Sequence, residues 1–218
     1  MSAPAAPPIS DADALQRAWW LRSAVVLFAP RAVFAALRDT SLEATQARAE
    51  PIAAIVGVAG IAAVLSTPVA RHVLNDPGTD TIVVPVWAFI GGATYGLVFY
   101  WLYGGCLWAA ARGMGGLGDY RRARHLLGLA VAPIALSLLT LWPVRILVFR
   151  SDLFRTGGDD YGRGDAVFGA INLGFVAWSA ILLVIGVRVV HGWSWSRATA
   201  TVALAALFPA LVALASTL

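Results

Sequence analysis

The chain reads as an all-α, polytopic integral membrane protein with five transmembrane helices preceded by an N-terminal amphipathic interfacial helix. Three observations predict this class. Of 218 residues, 59% are hydrophobic and only 13% charged, about half the charged share of an ordinary soluble domain. Mean hydropathy is +0.75. Uncharged tracts recur at lengths suited to a bilayer. Twelve acids and sixteen bases are too few to coat a soluble fold of this length.

Every basic residue is arginine. Arginine stays ionised and grips phosphate with a planar fork, so anionic lipid headgroups are the natural counter-surface for a net charge of +4. Cys106 is the single cysteine, which excludes an intrachain disulfide and a cysteine-built zinc site.

Residues 1–14 are expected to be a disordered leader, since prolines and small residues there offer nothing to bury. Residues 15–50 are expected to form cytoplasmic amphipathic or interfacial helices. The apolar stretch 18–29 is too short to cross a bilayer, contains Arg22 and ends at Pro30. Trp19 and Trp20 suit a headgroup layer. In the next helix Val33, Phe34 and Leu37 make one arc while Arg31 and Arg38 point away. The alternative for this arc is a helix docked on the protein itself. Thr40 and Glu43 have the spacing of a capping box, so a short polar helix should follow.

Residues 51–218 make up the five-span membrane domain. Pro51 suits the first turn of a helix, and 52–69 supplies a first uncharged span. The tract 82–111 is longer than one perpendicular crossing yet too short for two, so it predicts one long or tilted helix. A third span covers 126–144 and carries Pro133 and Pro143; a fourth covers 166–187 and a fifth 198–218. Trp87, Trp108, Trp142, Trp193 and Trp195 fall near span ends, where indole prefers the boundary.

Five crossings put the termini on opposite sides. Eleven arginines fall on the side of the N-terminus, among them Arg112, Arg121, Arg122, Arg124, Arg188 and Arg197; five fall on the other, including Arg145, Arg150 and Arg163. Basic residues resist translocation. The N-terminus is therefore expected in the cytoplasm and the C-terminus outside the cell membrane.

Motifs that carry chemistry are few. Residues Gly113 to Gly118 fit the letters of a dinucleotide-binding glycine loop, but the pattern joins two membrane helices rather than a strand and a helix, so a flexible hairpin is the reading. Its neighbours Arg121, Arg122 and Arg124 are candidates for lipid phosphate or partner contact, with Trp19 and Trp20. His72, His125 and His191 lie in different connections and do not converge on a metal site. Asp152, Asp159, Asp160 and Asp165 lack calcium-loop spacing and read as a solvated acidic loop. No ionisable residue is expected in mid-span. Weaker polar groups remain, of which Asn172 is the intramembrane candidate, the rest serving as interhelical hydrogen bonds. Gly57, Gly60, Gly92, Gly96 and Gly128 offer close backbone contact. No catalytic residue, metal or cofactor is assigned.

The order of these features resembles the Yip family, named for interaction with Ypt/Rab GTPases. The resemblance rests on Pro30-x-x-Val-Phe34, a proline-started first span, the hairpin Gly115-Gly-Leu-Gly-Asp-Tyr120, Pro133 in the following span, and Trp178. The late segment Gly186-Val-Arg-Val-Val-His-Gly192 with Ser196-Arg-Ala198 is its most specific part. It implies a five-span helical domain with a cytoplasmic N-terminus. Eukaryotic members shape membranes and traffic vesicles as partners of small GTPases, not as enzymes. Their Asp-Leu-Tyr-Gly-Pro motif is missing here, and the arginine-only, alanine-rich composition is of bacterial type, so architecture is what carries over.

The resulting expectation is a non-enzymatic membrane scaffold or adaptor. Its partners would be anionic headgroups, another membrane protein or a second copy, and not nucleic acid. The competing class is a small permease or lipid-translocating protein with a cavity near Asn172, walled by the helices around Pro133 and Pro143.

Overall fold

The computed structural model describes residues 23–38, 51–67, 83–116, 118–150, 153 and 162–215. Among them every regular element is a helix: α1 Pro30–Ala36, α2 Ile52–Leu65, α3 Val83–Gly113, α4 Tyr120–Ala130, α5 Ala132–Phe149, α6 Arg163–His191 and α7 Trp195–Ala215. The expected leader, Trp19, Trp20 and the capping box at Thr40 lie outside the described residues.

Among the described residues three stretches are long and apolar enough to cross a membrane: Pro85–Gly113, Tyr120–Phe149 and Arg163–His191. The 14 residues of α2 rise only about 21 Å. Helix α7 has 21 residues and carries Pro209.

The third expected span differs from the sequence reading. It is two helices, α4 and α5, meeting at Val131 (φ −83°, ψ 2°). Pro133 is the cause: its nitrogen has no proton to donate and its ring crowds the carbonyl of Leu129, so the ladder restarts. Asp119 caps α4 by accepting a hydrogen bond from the Arg122 amide at 2.6 Å. Gly192 closes α6 in the left-handed region (φ 67°), where a Cβ would be strained.

The bundle is held at two seams. Between α2 and α3 the backbones touch, because a Cβ on Gly60 would lie 2.5 Å from the Gly96 Cα and one on Gly92 would lie 2.5 Å from the Ile61 Cα. The second seam gathers Phe34, Leu107, Leu126, Leu129, Leu182, Val187 and Ala198 into one buried cluster. Here the expectation for α1 meets a correction. Val33, Phe34 and Leu37 are buried (4, 0 and 2% exposed), and Phe34 packs beside Gly186 of α6. The arc is docked on protein, not laid in lipid. Nor does Arg38 point away, since its Nε donates to the Val189 carbonyl at 2.6 Å.

Outward faces of α3, α5, α6 and α7 carry exposed large apolar residues, among them Trp87, Phe89, Leu147, Leu173 and Phe208. Such a belt is unfavourable in water and is what a hydrocarbon solvent calls for.

Candidate functional site

The end of α3, the start of α4, the end of α6 and the start of α7 meet at one end of the bundle, and their arginines lie on aromatic rings there. The Arg124 guanidinium sits 3.7 Å from the Trp101 ring centre, 4.6 Å from Tyr120 and 5.5 Å from Tyr100. Arg112 covers Trp108, Arg188 covers Trp195 at 4.6 Å, and Arg197 covers Trp193 at 4.3 Å. His191 stacks on the opposite part of this group, 4.4 Å from Trp193. The Tyr120 hydroxyl donates to the Trp101 carbonyl at 2.8 Å, fixing the α4 start against α3.

The glycine hairpin is hydrogen-bonded to the helices beside it. The Gly116 amide donates to the Ala111 carbonyl at 2.8 Å, and Arg197 Nη2 donates to the Met114 carbonyl. Gly116 lies so close to the His191 ring that a Cβ would be 3.0 Å from its Cε1. The glycines therefore admit an imidazole and an arginine. Both flanking elements are helices, as expected, and not the strand and helix a dinucleotide loop requires.

Of the three arginines singled out on α4, Arg121 is exposed while Arg122 and Arg124 are half-buried. The Nε atoms of Arg122, Arg124 and Arg188 are buried and meet no hydrogen-bond acceptor. Those Nε atoms are out of reach from outside, but stacking on a ring occupies only the face of a guanidinium and leaves its terminal Nη edge to meet an oxygen acceptor, for which phosphate is the best geometric match.

At the opposite end of the bundle lies a polar cavity of about 310 Å³ lined by Ser66, Trp142, Arg145, Asp165, Phe168 and Asn172. Arg145 is 7% exposed and its Nη2 lies 3.2 Å from Asp165 Oδ1. This corrects the expectation that Asp165 is a solvated loop acid, while Arg145 stands near the end of its helix and not in mid-span. Arg145 belongs to α5, inside the stretch Tyr120–Phe149. The signal was present: the apolar tract resumes at Ile146 and runs to Phe149, so the charge interrupts a span rather than ending it. Asn172 does face the cavity, and the structure brings it together with that pair. His72, Asp152, Asp159 and Asp160 lie outside the described residues. Among the described residues no group of three or more His, Cys, Asp or Glu is arranged to hold a metal ion.

Comparison with curated proteins and with solved structures returned no match. A family model described as the Yip1 domain matches residues 24–217, nearly the whole chain and every helix described above, and the protein accordingly belongs to the Yip1 domain family.

Proposed function

We propose that this protein is a five-span, non-enzymatic scaffold or adaptor of the cell membrane, with its N-terminus in the cytoplasm and its C-terminus outside. One observation carries the reading: the convergence of Arg112, Arg124, Arg188 and Arg197 with tryptophans and Tyr120 at one end of the bundle, where the start of α4 also carries Arg121 and Arg122. A basic, indole-rich layer suits the boundary of an anionic inner leaflet. Helices α2 and α7 would complete five crossings, α2 running antiparallel to α3 along the glycine seam. The platform offers anionic headgroups, a neighbouring membrane protein or a second copy a rigid surface, because its side chains are already stacked in place.

The experiment is a lipid titration of the purified protein in neutral detergent, read by tryptophan emission. Phosphatidylglycerol is expected to shift the emission at low salt, phosphatidylcholine much less, and the shift should shrink as salt screens the charges. An R121Q/R122Q variant should lose most of it. Equal responses to both lipids, or an unchanged response in the variant, overturn the headgroup reading.

The second reading, a small permease or lipid-translocating protein, is favoured by the polar cavity beside Arg145. The cavity reaches Asn172, nine residues into the 29-residue α6, or about 13 Å along a helix of about 43 Å. That depth stops short of the midpoint, which favours the scaffold. Solute or lipid movement by reconstituted protein that is lost in Asn172→Leu would reverse the ranking.

A further inference from the structure

The arginine and aspartate at the far end of the bundle join α5 to α6 beside a cavity. Asp165 lies in the first turn of α6, where a carboxylate meets a helix end of favourable sign, whereas Arg145 lies short of the last turn of α5. That accounts for tolerance of Asp165, not for the presence of the pair, because well-packed apolar residues in place of an ion pair with one buried member are often as stable. Nor does a latch between two helices require a cavity of about 310 Å³ beside it.

We propose that this cavity is a binding site for the headgroup of a zwitterionic phospholipid bearing a primary ammonium, of the phosphatidylethanolamine class, in the leaflet opposite the arginine platform. Charge complementarity selects the occupant. A free anion would be drawn to Arg145 and repelled by Asp165; a free cation would meet the reverse. One charge of each sign lines the cavity, 3.2 Å apart, so the complement is a second dipole laid antiparallel, phosphate toward Arg145 and ammonium toward Asp165.

The identity of the ammonium follows from the rest of the lining. A quaternary ammonium is recognised by open aromatic faces, but the two rings here already flank the Arg145 guanidinium, Trp142 at 5.1 Å and Phe168 at 5.8 Å. What the cavity adds is oxygen. The Ser66 hydroxyl donates to the Ala62 carbonyl at 2.8 Å, which leaves its oxygen to accept, and the Asn172 side chain supplies an amide oxygen. N–H donors satisfy such acceptors and N-methyl groups do not.

Location fits a lipid rather than a soluble ligand. The cavity sits where α5 ends and α6 begins, beside the ends of two stretches apolar enough to cross a membrane. Beside it Leu147, Val148, Val167 and Ile171 are 45 to 71% exposed, an apolar wall for acyl chains.

The test is native mass spectrometry of the full-length protein in detergent with chain-matched phosphatidylethanolamine, phosphatidylcholine and phosphatidylglycerol. Phosphatidylethanolamine is expected to be retained about tenfold over phosphatidylcholine, the ratio of one charge-assisted hydrogen-bond set gained or lost. Arg145→Gln and Asp165→Asn should each abolish the preference. Because a single substitution leaves one charge of the pair without the other and can unfold the protein, the doubly neutral R145Q/D165N variant is the decisive one. It should melt close to the wild type and bind the three lipids alike. Asn172→Leu should lower the preference by a smaller factor, whereas R121Q/R122Q should leave it intact. Equal retention of all three lipids by the wild type overturns the proposal, as does an undiminished preference in R145Q/D165N or its loss in R121Q/R122Q. Displacement by soluble glycerophosphoethanolamine at concentrations that match the lipid would assign the site to an aqueous ligand and overturn it equally.

Discussion

Arg121 and Arg124 lie one helical turn apart on α4 and face different physics. Arg121 is exposed, so Arg121→Gln should change thermal stability by less than about 0.5 kcal/mol. Arg124 lies over three rings and fills the space that a Cβ on Gly104 would occupy. Its replacement by Gln is expected to cost about 1–2 kcal/mol through lost cation–π and stem packing. Unfolding of the purified variants in detergent checks the contrast, and equal stabilities would mean that the Arg124 stack contributes nothing. At the α2–α3 seam the sign is as definite: Gly60→Ala places its new carbon against the Gly92 carbonyl and the Gly96 backbone, atoms that cannot rotate aside. The helices must separate, at a cost of about 1–3 kcal/mol, whereas Gly174→Ala, with nothing near it, should be neutral or stabilising. A melting point of Gly60→Ala at or above that of Gly174→Ala would dissolve the seam.

The elements show where periodicity is informative and where it is silent. In α1 the spacing of Val33, Phe34 and Leu37 defines an apolar arc, but an arc of that width fits a headgroup layer and a protein groove equally well, so the partner was not legible. The structure supplies it in Gly186, whose missing side chain makes room for the Phe34 ring. Truncating Phe34 to Ala should therefore cost about 3–5 kcal/mol, as for any fully buried phenylalanine. Phe28 is 84% exposed, and Phe28→Ala should leave the melting point unchanged. If α1 were instead a lipid-bound helix, the two substitutions would weaken membrane association alike and neither would move the melting transition. The break between α4 and α5 was legible in part: Pro133 was visible, but whether a proline kinks a span or divides it depends on what neighbours take up the freed backbone groups. Arg145 was missed for a related reason. A charge near the end of an apolar tract was counted with the loop, and only an Asp165 brought back from the next helix explains why it stays inside.

At the scale of the whole molecule, composition made the solvent legible and left the job obscure. Hydrophobic tracts and arginine asymmetry depend on water and lipid alone and survive without tertiary knowledge; the platform and the polar cavity exist only after helices distant in sequence are packed. Chain direction links them. Helix α3 ends at the platform, α4 and α5 lead away from it to Arg145, and α6 returns from Asp165 to Arg188. The two sites must therefore face opposite leaflets if the chain spans the membrane as proposed, which makes sidedness measurable with one chemistry. The single native thiol, Cys106, is changed to Ala, and new cysteines are placed singly at Arg121 and at Arg163, both exposed. In intact cells an impermeant maleimide should label Arg163→Cys and spare Arg121→Cys until the membrane is opened. Labelling of both in intact cells, or of neither until lysis, would mean that these positions share a side. Labelling of Arg121→Cys alone would keep the five crossings but turn the molecule over, putting the arginine platform outside and depriving it of the anionic leaflet that its proposed role requires.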